Sequence, residues 1–521
     1  MNTAKAGWDS LLPYSKIVNT EKIEPREYQI NIIKKVYSGK NSLIILPTGL
    51  GKTLIAVFAI AKSLYENKKA LMLAPTKPLS DQHYESLKQI LNVDSSAICL
   101  LTGKTSATKR ERLIKDSKII VATPQTVSND IKNGRLDLSD FGCIIFDECH
   151  KAVGKYAYTY IADECWDKGV QIIGLTASPG STKEKINRII NTFNIQSIEI
   201  RISTDPDVAP YVMDKSIKTF YIEKNPAILS ISSLLLPVME QKLAMLRSYG
   251  LCQYKDVNSI PKGRFIMLGD EIKRIQAKNF KFIAFFNYAY LLNLLYAYEL
   301  ATTQSIYAFT KYMDSLNERA EKSRVARSII SNESIRKARE FADAALQKGE
   351  EHPKMKFVCN LLAGELKGKS VIIFVQYRAT IKKLVEIIRN SEIEAEPFIG
   401  KKEGITQEDQ KKIIERFRNN EFKVLVATSI GEEGLDIPSV DAVIFYEPIP
   451  SEIRNIQRRG RAGRIKTGEI VILVTKGTKD ERYLLISKMR EKQMFETIQK
   501  IKMEMESGSY NSPAKQKRLR F

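Results

Sequence analysis

The chain has 521 residues, 43% apolar and 27% charged, which excludes wholesale disorder and is too long for one compact domain, so about three are expected. Its 82 Lys and Arg exceed 60 Asp and Glu, and the formal charge of +22 points to a polyanionic partner, nucleic acid ahead of an anionic membrane surface. Six cysteines without CxxC spacing speak against a zinc site or a disulfide framework. The start MNTAKAGWDSLLPYSK lacks the apolar core of a signal, and no later run reads as long enough to span a bilayer. The expected setting is intracellular, cytoplasmic or nucleoid-associated, with no membrane partner.

From residue 41 to about 201, short apolar runs alternate with helix-compatible stretches: SLIIL at 42–46, ALMLA at 70–74, KIIVA at 118–122, CIIFD at 143–147 and QIIGL at 171–175. Such a rhythm marks a parallel sheet covered by helices on both faces. It returns at 370–375, 423–427, 441–445 and 469–474, so the fold class is α/β with two parallel-sheet lobes. Between them the patterns become long and helical, which predicts an all-helical inserted domain. The boundaries read as 1–203 for the first lobe, 204–348 for the insert, 349–485 for the second lobe and 486–521 for a helical extension with a basic, disordered tail.

The insert is basic, with 21 Lys and Arg against 14 Asp and Glu in 211–350. Its aromatic run, from Phe280 through Phe282, Phe285, Phe286, Tyr288, Tyr290, Tyr296 and Tyr298, has the spacing of a buried helix core, with base stacking as the other use. Lys273, Arg274, Lys278 and Lys281 are close enough to form one face, either over a duplex or simply solvated.

The run 42–46 leads into Pro47, Thr48, Gly49, Leu50, Gly51, Lys52 and Thr53, and then into helix-forming LIAVFAIAKSLYEN. A strand, a glycine-bearing turn and a helix N-terminus make a phosphate loop: backbone N–H groups close around phosphate, Lys52 reaches the terminal phosphates, and Thr53 is placed to ligate Mg2+. Leu46 stands where the general GxxxxGK[ST] pattern has its first glycine. The run 143–147 ends in Asp147-Glu148-Cys149-His150, an acidic pair in which Asp147 would hold Mg2+ and Glu148 would polarise the attacking water.

With these motifs in order, the sequence resembles the superfamily 2 helicases over both lobes, which implies RecA-like folds. Arg26, Tyr28 and Gln29 in EPREYQ resemble the family's adenine-contacting segment. APTKPLSDQH (with Pro75 and Thr76), Thr102-Gly103 and ATPQT (with Thr123) resemble its strand-gripping segments, and Thr176-Ala177-Ser178, with His150 of the DECH box, its coupling segment. In the second lobe IIFVQYR (with Gln376) and ATSIGEEGLDIP (with Thr428, Gly434 and Asp436) resemble backbone- and nucleotide-contacting segments. QRRGRAGR, with Gln457, Arg461 and Arg464, resembles the arginine-finger helix that stabilises phosphoryl charge on cleft closure.

DECH with a helical insert resembles the Hef/FANCM branch. That resemblance implies an ATP- and Mg2+-dependent helicase or translocase on forked or junction DNA, moving 3′ to 5′ in repair or replication-fork processing. An RNA helicase related to the RIG-I-like and Dicer enzymes is the nearest alternative, and a catalytically silent scaffold a further one. Only 57 residues follow Arg464, too few for a nuclease, so cleavage is not expected. The end QKRLRF, with Gln516, Leu519 and Phe521, resembles a sliding-clamp-binding peptide and reads equally as a basic tail.

Overall fold

The computed structural model describes residues 8–47, 50–180, 182–202, 205–211, 216–399, 407–428, 440–448 and 468–510. Seven strands build the first sheet: β1 Ser42–Ile45, β2 Lys69–Leu73, β3 Ile98–Leu101, β4 Ile119–Ala122, β5 Phe141–Asp147, β6 Gln171–Thr176 and β7 Ser197–Ile200. Their order is β3-β4-β2-β5-β6-β1-β7 and every pairing is parallel. The five apolar runs expected here are strands; β3 and β7 are additional, β3 an apolar run ICLL that the sequence reading passed over and β7 a run broken by Ser197 and Glu199. The helices α1 Glu27–Val36, α2 Lys52–Tyr65, α3 Lys77–Ile90 and α4 Lys183–Phe193 belong to this lobe. Apolar around most of its circumference, α2 buries Leu54 through Ala61 in the core and so fixes the loop that precedes it.

Six helices follow: α5 Pro226–Ser248, α6 Lys262–Lys273, α7 Lys278–Glu299, α8 Ile306–Arg319, α9 Arg324–Ile330 and α10 Glu333–Gln347. They share a core of their own that includes Ile231, Leu235, Met239, Phe265, Leu291, Phe309 and Ile335. The side chains of Asn225, Ser305, Ser323 and Asn332 cap α5, α8, α9 and α10 by accepting from the N–H three residues on, each cap contributing about 1 kcal/mol. By length and composition α5 is apolar enough to cross a bilayer, which corrects the reading that no run was; here Ile228, Leu235, Met239 and Leu246 are buried in the helical core. The aromatic run divides. Tyr288, Tyr290 and Tyr298 are buried as core residues, whereas Phe280, Phe282 and Phe285 are exposed, Phe282 to 77%.

The second sheet contains β8 Ser216–Ile222, β9 Val371–Phe374, β10 Ala395–Phe398, β11 Val424–Ala427, β12 Ala442–Phe445 and β13 Glu469–Thr475, in the order β10-β11-β9-β12-β13-β8, all parallel. Strand β8 lies within 204–348, where the sequence pattern predicts an all-helical insert, and belongs instead to the second lobe. It pairs with β13 along its whole length, from Ser216 opposite Glu469 to Ile222 opposite Thr475. As an edge strand it is buried on fewer sides, and SIKTFYI lacks the continuous apolar run of a central strand. Helices α11 Pro353–Ala363, α12 Arg378–Asn390 and α13 Gln407–Arg418 accompany the sheet.

The last helix, α14 Lys479–Glu506, leaves the second sheet and returns to the first lobe. Met494, Ile498 and Ile501 are fully buried in the core that holds Ile186, Ile189, Phe193 and Ile198. Lys502 lies 3.5 Å from Glu199, and the Tyr510 hydroxyl donates to Asn187 Oδ1 at 3.0 Å. Burying three such side chains contributes about 1.5–3 kcal/mol each, so this is a docked element rather than a loose extension.

A buried polar junction joins the insert to the second lobe. Lys354 on α11 donates to Asp480 Oδ2 at 2.7 Å and to Thr303 O at 3.2 Å, within the π-helical turn Leu300–Gln304 that ends α7. Glu447, after β12, accepts from the Gln376 N–H and from Gln304 Nε2, both at 2.5 Å. Burial pushes its carboxyl up to about 7. Burial pushes neighbouring His352 down to about 3, leaving a neutral ring that donates through Nε2 to Thr302 O and accepts the Lys354 N–H at Nδ1.

Candidate functional site

The carboxyl ends of parallel strands are where such sheets present their chemistry. At the end of β1 the chain turns through Leu50 and Gly51 into α2. Gly51 has φ +80°, and a Cβ there would lie 2.1 Å from Gln29 Nε2, so both backbone and space demand glycine. The first turn of α1 grips this loop: the Tyr28 hydroxyl donates to Leu50 O at 2.9 Å and Gln29 Nε2 donates to the same oxygen at 3.1 Å. Gln29 Oε1 is buried with no hydrogen-bond partner among the described residues. Arg26, the N-cap residue of α1, sits over the ring of Tyr211, 5.2 Å from its centroid. Lys52 is buried at the start of α2 and donates to Leu46 O at 3.0 Å. Thr53 follows in the same turn.

At the end of β5, Asp147 is buried with its two carboxylate oxygens held separately. Oδ1 accepts the Glu148 N–H at 3.0 Å, and Oδ2 lies 2.8 Å from His83 Nε2. Glu148 adopts the left-handed conformation, φ +49°, uncommon for a residue other than glycine and a mark of local strain. Next, His150 Nδ1 lies 2.9 Å from Thr176 Oγ1, which accepts the Ser178 N–H at 3.0 Å. The DECH turn is thereby tied to the end of β6. Tyr158 adds a further tie, its hydroxyl donating to Asp147 O at 2.7 Å and Leu73 O at 3.1 Å, while burial holds its pKa well above the ordinary value.

The segments read as strand-gripping follow the ends of β2, β3 and β4. Pro75 and Thr76 precede α3, with Thr76 Oγ1 buried and unpartnered among the described residues. Thr102 is buried, Gly103 is exposed with open space around it, and Thr123 Oγ1 pairs with Thr126 Oγ1 at 2.9 Å. In the second sheet Gln376 follows β9 and Thr428 follows β11, the Thr428 N–H donating to Phe398 O. Thr48, Gly49, Gly434, Asp436, Gln457, Arg461 and Arg464 lie outside the described residues, as do Gln516, Leu519 and Phe521.

Residues 26–186 match the DEAD/DEAH box helicase family and residues 353–466 the helicase conserved C-terminal domain. The crystal structure of the Pyrococcus furiosus Hef helicase domain is 40% identical with a TM-score of 0.75, covering 91% of this chain and 100% of that one. The chain belongs to the Hef/FANCM type of superfamily 2 helicases. Among other relatives of this Hef-type chain, a Methanocaldococcus jannaschii protein named as an ATP-dependent RNA helicase is 38% identical over 487 residues, 92% of the chain and 61% of its own length. The ATP-dependent DNA helicase mph1 of Neurospora crassa is 31% identical over 487 residues, covering 88% and 41%. The Hef-type chain therefore spans about three fifths and two fifths of these relatives' lengths. The sequence reading missed His83, Tyr158, Tyr211 and Glu447. His83 stood inside the quoted APTKPLSDQH, and the others gave no local signal.

Proposed function

We propose that the chain is an ATP-driven motor that unwinds or migrates forked and branched DNA inside the cell, moving 3′ to 5′ in DNA repair. The observation that carries this reading is the gathering of the glycine loop with Lys52, the Asp147–Glu148 turn and the His150–Thr176–Ser178 chain at the ends of β1, β5 and β6. Gln29 Oε1, an acceptor without a partner, suits the amino group of adenine. Lys52 gives up a backbone carbonyl to reach the terminal phosphates, and Glu148 orients the attacking water. Arg461 and Arg464 approach from the second lobe to offset charge on the transferred phosphoryl group.

Thr53 and Asp147 are hard oxygen donors, the set Mg2+ favours, and would hold it beside the phosphates, where the ion neutralises charge. His150, Thr176 and Ser178 couple hydrolysis to lobe movement. Pro75, Thr76, Thr102, Gly103, Thr123, Gln376 and Thr428 contact the strand's backbone, so binding falls steeply with salt and depends little on sequence. The basic insert lies over the duplex arm. An RNA substrate is the second reading, favoured by the name of the Methanocaldococcus relative.

The test is steady-state ATP hydrolysis with single-stranded DNA, forked DNA, a four-way junction and structured RNA, with Lys52→Ala as control. Strongest stimulation by fork or junction, with a silent control, supports the proposal. Stimulation by RNA alone replaces the substrate, and no stimulation by any nucleic acid removes the motor.

A further inference from the structure

We propose that His83 is a positioning residue that makes the ATP site respond to an engaged strand. The inference rests on the function proposed above and deepens it by naming the part that connects its two sites. Helix α3 starts directly after Pro75 and Thr76, the segment assigned to the nucleic-acid backbone, and carries His83 in its second turn. The His83 side chain is 10% exposed and its Nε2 lies 2.8 Å from Oδ2 of Asp147, the carboxylate assigned to Mg2+. Facing a carboxylate, Nε2 is the protonated nitrogen and the donor.

The surrounding contacts make α3 the movable member. The Tyr158 hydroxyl spans Leu73 O and Asp147 O, which locks the end of β2 to the end of β5. Asp147 Oδ1 is fixed in turn by the Glu148 N–H. Among the described residues, of the two carboxylate oxygens only Oδ2 is held by a side chain on an element that reaches the proposed strand-binding rim. A shift of α3 on strand engagement therefore re-aims that oxygen without separating the strands. Outer partners of metal-binding groups commonly change metal affinity about 10- to 100-fold when removed.

Three variants test the idea: His83→Leu removes the donor, His83→Asn is polar but too short to reach, and His83→Gln returns an N–H near the same place. The first readout needs no turnover: affinity for a fluorescent non-hydrolysable ATP analogue, with Mg2+ and with a chelator. The second is ATP hydrolysis against Mg2+ concentration, without nucleic acid and with saturating forked DNA.

In His83→Leu, affinity in chelator and affinity for DNA should match the wild type, while the gain in analogue affinity on adding Mg2+ should fall about 10-fold or more and the ratio of DNA-stimulated to basal rate should collapse. His83→Gln should recover most of both. Equal Mg2+ dependence in all proteins, or an equal fall of basal and stimulated rates, overturns the proposal. Should the leucine protein not fold, His83→Asn carries the same comparison. A wild type that no nucleic acid stimulates defeats the motor itself; a stimulated wild type with an indifferent His83→Leu defeats only this inference.

Discussion

Met494 Sδ lies 3.5 Å from Ser178 Oγ, so a side chain that follows the last strand of the second sheet touches the segment after β6 of the first. Beyond it Ile498 is fully buried among first-lobe residues. Ile498→Ala should cost about 2–5 kcal/mol in urea unfolding, as cavity-forming truncations do. An unchanged midpoint would mean that α14 is undocked in solution.

Breaking one side of a buried ion pair strands the other. Lys354 and Asp480 meet at 2.7 Å with essentially no solvent exposure. Lys354→Met is expected to destabilise by about 3–5 kcal/mol, and adding Asp480→Asn should return part of that loss. The comparison needs only chemical denaturation of the single and double variants; a double variant no better than the single would show that the uncompensated charge is not the cost.

The pH dependence of stability should carry two opposed contributions. Burial, then the charge of Asp480, raises the Glu447 carboxyl to about 7 against Lys354, Gln304 and the Gln376 N–H, so the fold holds this proton more tightly than the open chain. Its stabilising contribution is full below about 4.5 and is lost as pH rises through about 7. His352 runs the other way: its folded value of about 3 gives stability that is full above about 6.5 and lost as pH falls. Glu447→Gln should therefore remove a loss of stability between pH 5 and 7, read from denaturation at several pH values. A slope identical to that of the wild type would contradict the assignment.

Gly51 offers a test confined to the loop. Alanine would meet Gln29 Nε2 and adopt φ +80°, a conformation costing about 1–2 kcal/mol for other residues. Gly51→Ala should lower nucleotide affinity about tenfold, a change of about 1.4 kcal/mol, while the rest of the fold melts nearly as before. Retained affinity in a fluorescence titration would show that the loop accommodates the methyl by moving Gln29.

What the sequence made legible was local. A strand running into glycine, lysine and threonine ahead of a helix has its chemistry written in consecutive residues, and so does a strand ending in Asp147-Glu148. His83 and Asp147 are 64 residues apart, and nothing in either neighbourhood announces the pairing. Strand β8 was misplaced because an edge strand lacks the apolar run by which β9 or β12 is recognised. The aromatic helix was half legible: with aromatics on several faces of α7, spacing names no single buried side, and tertiary packing covers Tyr288 and Tyr290 while leaving Phe282 in water.

The return of α14 also bears on how the protein is made. One of the two core clusters of the first lobe holds residues up to Ile200 and then Met494, Ile498 and Ile501, with the insert and the second sheet between them in the chain. At about 5–20 residues per second, the roughly 300 intervening residues take about 15 to 60 s to synthesise. For that interval the apolar side of α4 waits without its cover. The first lobe thus leaves the ribosome first and is completed last, which makes its nascent form the one most in need of protection from aggregation.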